Sequence, residues 1–597
     1  MHMFPPEHYL CGRTLFFEYN EQLVLDCLDF LRPQGMLVLL FNKSYSNMVN
    51  MAEEPWHGAR YKCQDFDSPL ISKLNNLGLN PDLSVPDPNP YIATNFSLVK
   101  AKKSTLYPVV VMNEASCRVW YKKDNNFFLP NAFIHFNLIS STLSKSYENV
   151  ALSDVFLTLL LQFLTETLHN ATLAGYEYSV EGSPEGIVFV IGGYSEKIKV
   201  VTKDTIHALQ SLEVDEECFK SVVSHLKQVY IDALLNPLEC ARAVRYSLLE
   251  NKDPSLLERF EQMDDLRFPK LLDYIEEFYQ TLFVEALVTG NLSLKDAVEV
   301  GGMLKKLVKK PLAEKDFPKP SVMELPEGDF KCLIPAINKE DTNSCVMHYF
   351  QQGPGTFLSA CLNDTLAALM TEPLFNNLRT KHQLGYSVFC QPAAIHAITG
   401  FVIVVESQAN KFSMEYIDDL MNKFLKDFEK TLENLPLDKV NSVIESQASQ
   451  LSSEDGDLYG EATRFWHEIA TGAYVFDRPD QQRLAMDLVT RESLLEWLRL
   501  MTTDKRRKLT LMVEGCTRNN CKTTAPPTAQ PLENIKSLMK NLRTCPVNNW
   551  ETSQSVAKNS RQAAVHHQSQ DHGQILITNL CDFKSKLKVL PYHVTRE

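Results

Sequence analysis

The stretches "LAGYEYSV" (residues 173–180) and "LGYSVF" (384–389) read as two copies of one corner: a helix stops at Gly175–Tyr176 or at Gly385–Tyr386, and a strand follows. Upstream of each lies a long helical run, about 150–169 in the first copy and 356–384 in the second. Before each helix stands a strand-like run with a histidine in it, "AFIHFNLIS" (132–140, His135) and "SCVMHYFQQ" (344–352, His348). Downstream come a further strand, "GIVFVIGG" (186–193) or "GFVIVVES" (400–407), and two helices, about 201–212 and 214–235 or 411–434 and 437–451. Each copy closes on a helix and a strand: "LLDYIEEFYQ" (271–280) with "FVEALVTGN" (283–291), and "ESLLEWLRLM" (492–501) with "KLTLMV" (508–513). The closing pattern also stands at the start of the chain, where "QLVLDCLDFL" (22–31) has a helical period and "MLVLLF" (36–41) reads as a strand.

The expected fold is therefore α+β: tandem homologous α/β domains, each an antiparallel-type sheet with helices on one face, two complete copies plus the tail of a third. A closing segment by itself leaves an apolar helix face and a sheet edge uncovered. The chain is thus expected to begin inside a domain; the alternative is a small N-terminal appendage packed on the next domain. Frequent prolines without a period mark 77–112 as a linker, and "EKDFPKPSVMELPEG" (314–328) as a second one between the copies. Residues 515–572 turn polar and are expected to be partly disordered, with order returning at "QILITNLCDFKSKL" (574–587).

A chain of 597 residues is too long for one core and implies about three to four domains. A net charge of −14 argues against nucleic acid or an anionic membrane as partner. No uninterrupted apolar run reaches the roughly 18 residues of a membrane span; "VFLTLLLQFL" (155–164) reads as a buried helix. The N-terminus lacks a basic segment followed by an apolar one, so no signal peptide is read, and a cytoplasmic protein with reduced thiols is expected.

Zinc chemistry would show as H-E-x-x-H or H-x-x-E-H, which put two imidazoles and a glutamate on one helix face. Neither occurs. In "FWHEIATGAY" (465–474), His467–Glu468 begins the first motif, but Thr471 stands at the second histidine's position. Cys516, Cys521, Cys545, His566 and His567 lack the spacing of a zinc finger. "LRTKHQLGY" (378–386) remains. Its helix segment 373–384 starts at Pro373 with Thr371 as cap candidate, and Leu374, Phe375 and Leu378 form an apolar stripe. Gly385 sits where a helix often ends in a left-handed residue. Arg379 and Lys381 would favour the helix dipole without any function; Tyr386 is not explained that way.

The segment "EPLFNNLRTKHQLGYSVF" resembles the R-T-K-x-Q-L-G-Y region of the inverted-zinc-motif peptidases, the family of insulin-degrading enzyme, nardilysin and pitrilysin. "VWYKKDNNFFLPNAFIHFNLIS" (119–140), "LFVEALVTGNLS" (282–293) and "YVFDRPD" (474–480) also fit, and "WYKKDN", "LFFEY" and "LPYH" are nardilysin-like. The resemblance implies a metallopeptidase of four homologous domains in two halves around a peptide chamber. It assigns 1–76 to the end of the second domain, 113–313 to the third and 329–597 to the fourth. In the family, zinc is held by the first domain, so none would be bound by this chain. Arg379 and Tyr386 would be the substrate-side and transition-state-binding residues of the fourth domain. The expectation is a substrate-enclosing half acting on peptides, inactive alone, whose partners are peptides and a zinc-bearing N-terminal half or a homo-oligomer. The alternatives are a non-catalytic peptide- or partner-binding protein and a truncated gene product. The resemblance also implies a shortened, altered turn between the first copy's helix and Gly175.

Overall fold

The computed structural model describes residues 4–591 except 16, 79, 101–104, 252–253, 336, 339, 454, 517–573 and 578. The expectation of disorder in 515–572 therefore falls almost wholly outside the described residues. The chain divides into two compact units, Met1–Pro88 and Asn89–Glu597.

The smaller unit contains helices Glu21–Asp29 and Ser68–Asn75 and a short antiparallel pairing of Ala52–Glu53 with Arg60–Tyr61. The first helix starts where Asn20 accepts a hydrogen bond from Leu23 N, and the second where Asp67 accepts one from Leu70 N. Neither helix buries a residue. "MLVLLF" is extended but is not a strand, because no described segment pairs with it; Leu37, Leu39, Leu40 and Phe41 are exposed. Alternating apolar residues supply the propensity, but a ladder needs a neighbour.

The larger unit holds both repeats. In the first, β1 (Val109–Glu114), β2 (Cys117–Lys123), β3 (Asn131–Ile139), β4 (Glu177–Gly182), β5 (Gly186–Tyr194) and β6 (Thr281–Gly290) order as β1-β2-β6-β3-β5-β4, and Lys310–Pro311 pairs on β6. In the second, β7 (Gly328–Ile334), β8 (Asn343–Pro354), β9 (Val388–Pro392), β10 (Ile398–Gln408), β11 (Arg507–Val513) and β12 (Gln574–Leu576) order as β12-β7-β11-β8-β10-β9. The inner positions correspond strand for strand, including one parallel pair in each sheet, β2 with β6 and β7 with β11. Both sheets are otherwise antiparallel, except that β12 lies parallel to β7 and Lys310–Pro311 parallel to β6.

Helix α1 (Tyr147–Thr167) starts where the Ser146 hydroxyl accepts from Asn149 N, and it buries Val155, Phe156, Leu159, Leu160 and Leu164 against the first sheet's helical layer. Its length and mean hydropathy equal those of a membrane span, a feature the longest apolar run alone did not reveal, yet it is a core helix of this unit. The turn after it is well packed: Gly175 takes φ +85° and Tyr176 is 1% exposed.

The α+β repeats form as expected, and a further helix from the other repeat packs on each sheet. Helix α2 (Pro237–Leu249) of the first repeat packs on β8 and β11 of the second. A helix of the second repeat, Leu458–Ala470, packs on β3 and β6 of the first. Each repeat thus covers the other's open sheet face. The Arg245 guanidinium lies 5.3 Å from the Tyr349 ring, and Trp466 stacks on His135 at 5.6 Å. Beside the latter contact, Tyr474 adopts φ +55° and stacks on Trp120, while its hydroxyl donates to Glu285 at 3.1 Å and accepts from Arg118 at 3.0 Å. Burial pushes the Glu285 carboxyl up and the Tyr474 phenol up.

The proline-rich segments also have structure. Residues 89–99 run along the first repeat: Asn89 donates to Asn170 O, the Tyr91 hydroxyl donates to Asp204, and Glu196 accepts from Thr94 N and Asn95 N. Ser321–Glu324 pairs antiparallel with Lys588–Pro591.

Candidate functional site

The segment carrying "LRTKHQLGY" begins as helix α3 (Phe357–Leu374), capped by Thr356, whose hydroxyl accepts from Ser359 N. Pro373 is not a first helical residue, and Thr371 is not a cap. Proline lies inside α3, and the Thr371 hydroxyl donates to Ala367 O within the helix. Proline has no N–H for the carbonyl one turn back and crowds it. Just beyond, Phe375–Lys381 continues as a wider π-helical turn. Such turns are rare and frequent at functional sites.

The left-handed residue that turns the chain out of the helix is Gln383 (φ +52°), not Gly385. Gly385 is required for another reason: a Cβ there would overlap the Glu406 carbonyl of β10. The Ser407 hydroxyl donates to Leu384 O, and Glu406 N donates to Ser387 O at 2.9 Å. The backbone before β9 is therefore pinned to its neighbour, and Tyr386 is displayed from this pinned corner.

Tyr386 is 84% exposed. Arg379 is half-buried, with its guanidinium carbon 4.3 Å from the Tyr386 ring centroid and 4.5 Å from that of Phe375. These are close cation–π contacts. Arg379 makes no hydrogen bond or ion pair with a described residue. The two residues singled out in the sequence thus lie side by side. Phe375, read only as part of an apolar stripe, is the third member. Its spacing of four from Arg379 on a helix was the available signal. Lys381 is exposed at the end of the turn, and His382 N donates to Asn377 O.

A second cluster of ionisable groups lies in the same repeat but is sealed. His348 Nε2 is 2.6 Å from Asp418 Oδ1, Lys331 is 2.5 Å from Asp418 Oδ2, and Lys508 is 3.4 Å from Asp329. Burial and then Lys508 push His348 below its ordinary value. Burial works against ionised Asp418, but the bond and charge of His348, then Lys508 and Lys331, hold it well below the carboxylate range. His348 and Asp418 have no exposed surface, so this network anchors helix Met414–Asn434 to the sheet.

For a metal, the described residues offer no group of three His, Cys, Asp or Glu side chains that could hold one. His467 is exposed, and Thr471 turns its hydroxyl to the His467 carbonyl. Cys521, Cys545, His566 and His567 lie outside the described residues. Cys516 is disulfide-bonded, whereas ten other described cysteines are free thiols.

Two α/β repeats that share their sheet faces, with an arginine–tyrosine pair displayed at a sheet edge, define the class. Residues 1–262 match the family described as the middle or third domain of peptidase M16. Residues 365–466 match the C-terminal lobe domain 4 of PQQ synthase PqqF-like proteins. Nardilysin of Homo sapiens is 32% identical over 86% of this chain and 45% of its own length. Insulin-degrading enzyme of Homo sapiens is 26% identical, over 87% of this chain and 52% of its own. The crystal structure of pitrilysin superposes with a TM-score of 0.71 at 17% identity, covering 91% of this chain and 53% of that one. The chain carries a match to the peptidase M16 middle domain, is homologous to nardilysin and insulin-degrading enzyme, and spans about half the length of these relatives.

Proposed function

We propose that this chain is the substrate-enclosing half of a zinc metalloendopeptidase resembling nardilysin and insulin-degrading enzyme. It acts on peptides together with a zinc-bearing half and is not catalytic alone. The observation that carries this reading is Arg379, without a hydrogen-bond partner among the described residues, beside the exposed Tyr386, in a chain homologous to these peptidases. A guanidinium and a phenol stabilise the oxyanion that forms when water adds to a peptide carbonyl. The zinc that activates this water would be held by the other half. The domain limits that go with this reading are 1–76, 113–313 and 329–597, joined by 77–112 and 314–328, in a cytoplasmic protein. The exposed apolar residues of 23–41 support a partner that covers them.

The test is to mix the purified chain with a zinc-bearing N-terminal half of a nardilysin. Chelator-sensitive peptide hydrolysis that needs both parts, and that falls with Arg379→Ala or Tyr386→Phe, is expected. Zinc-dependent hydrolysis by the chain alone would refute the reading. Peptide binding without any rescue would favour a non-catalytic binding protein, a reading also favoured by the fold it shares, at TM-score 0.53 and 12% identity, with a solved structure titled a peptidase M16 inactive domain from Pseudomonas fluorescens.

A further inference from the structure

We propose that the outer edge of β4 is a docking strand for an extended basic peptide, with Glu177 and Glu181 facing its cationic side chains. This edge belongs to the first repeat, far in sequence from Arg379 and Tyr386, and it needs no zinc-bearing half. The backbone register, the side-chain alternation and the charge of β4 each point to it.

β4 ends its sheet, and no described strand pairs with its outer side. It turns into β5 through Pro184 and Glu185, where Ser183 N donates to Gly186 O at 2.8 Å and Gly186 N to Ser183 O at 3.2 Å. From such a doubly bonded pair, bonded and non-bonded pairs alternate along an antiparallel ladder. Glu181, Ser179 and Glu177 therefore bond inward to Val188, Val190 and Gly192, and the N–H and C=O groups of Tyr178, Val180 and Gly182 point out along the edge. These groups take no other partner among the described residues. A row of this kind is a template for an added strand. The side chains alternate too. Val180 is buried in the core and the Tyr178 hydroxyl donates to Thr165 of α1, so both lie on the covered face. Glu177 and Glu181 are exposed on the opposite face, and neither has an ion-pair or hydrogen-bond partner among the described residues. At the sheet's other end, by contrast, Glu114 of β1 is paired with Lys305. Four residues apart on a strand, the two carboxylates stand about 13 Å from each other, the spacing of side chains i and i+4 on an added strand. Opposite charges across a ladder stabilise the pairing and like charges oppose it. Two β4 edges brought together would set these carboxylates against each other, so the edge disfavours a second copy of the chain and favours a basic strand.

The probe is a fluorescent seven-residue peptide of alternating threonine and valine with lysines at its second and sixth positions, and its binding to the full chain is read by anisotropy. It should bind about 10-fold or more tighter than the same peptide with glutamates at those positions. Glu177→Lys combined with Glu181→Lys, two exposed changes, should reverse the order, so that the glutamate peptide binds the tighter. Methylation of the peptide's backbone nitrogens tests the ladder itself. Alternate nitrogens point to opposite sides of a strand, so only one of the two sets can face the edge; methylating that set should abolish binding, and methylating the other should leave it within about 2-fold. Equal affinity of the native chain for the two peptides would overturn the proposal, as would an order unchanged by the double reversal or equal effects of the two methylated sets. A dimer of the native chain that dissociates as the lysine peptide is added would assign the edge to a second copy and overturn it as well. Failure of the complementation with a zinc-bearing half would leave all of these outcomes unchanged, so the two readings fail separately.

Discussion

Gly175–Tyr176 and Gly385–Tyr386 occupy equivalent corners of two sheets with matching strand order, and they do opposite things. At the first corner the glycine supplies a left-handed turn, and the tyrosine is 1% exposed with its hydroxyl donating to Tyr194 O at 3.0 Å. At the second, the left-handed turn has moved to Gln383, the glycine allows a close backbone approach, and the tyrosine is 84% exposed beside Arg379. A dipeptide that closes a core in one copy displays a side chain in the other. The local sequence sets a corner; the helix end before it decides which way the ring goes.

The comparison can be broken most sharply through function. In the complemented peptidase, Arg379→Ala should lower kcat/KM by about 100-fold or more, the range expected for removing a stabiliser of an oxyanion. The corresponding change at the first corner, Tyr176→Phe, should leave kcat/KM within about 2-fold. Gly385→Ala comes next, because its Cβ meets backbone rather than a flexible side chain. It should cost several kcal/mol, about 3 or more, by denaturant unfolding. Gly175→Ala has room, with its nearest neighbour the Tyr194 ring at 3.6 Å, and pays only for φ +85°, about 1–2 kcal/mol. Tyr176→Phe should cost about 1 kcal/mol for the lost hydrogen bond, whereas Tyr386→Phe should cost almost nothing in stability.

The paired histidines sharpen the same contrast. Burial alone pushes His135 down to about 3, and it has no carboxylate partner among the described residues; His348 has Asp418. A histidine depressed when folded binds its proton first in the unfolded chain. Stability from keeping His135 neutral is therefore full above about pH 6.5 and is lost as pH falls toward 3, by at most about 1.4 kcal/mol per pH unit. Unfolding of His135→Phe should show a shallower loss on acidification than the native chain over that window.

Much of the architecture could be read in advance. The runs around His135 and His348, the long helices after them and the closing helix–strand pairs all form, because hydrophobic period marks strands and helices wherever one face is buried. "MLVLLF" had the same signal and is no strand, since period records propensity and not the presence of a neighbour. The reciprocal packing of Pro237–Leu249 and Leu458–Ala470 was not readable: an amphipathic helix announces that it covers something, not which sheet. At the site, Arg379 and Tyr386 were found through a motif, and Phe375 was missed because an aromatic residue at helical spacing is usually core.

The sequence by itself determined the repeated units and their order and singled out Arg379 and Tyr386, since period and motif are local properties of the chain. The tertiary structure alone decided that Tyr176 is buried and Tyr386 displayed, that Gly385 lies against Glu406, and that each sheet's open face is closed by the other repeat. These depend on contacts between segments far apart in the chain, which no window of sequence contains.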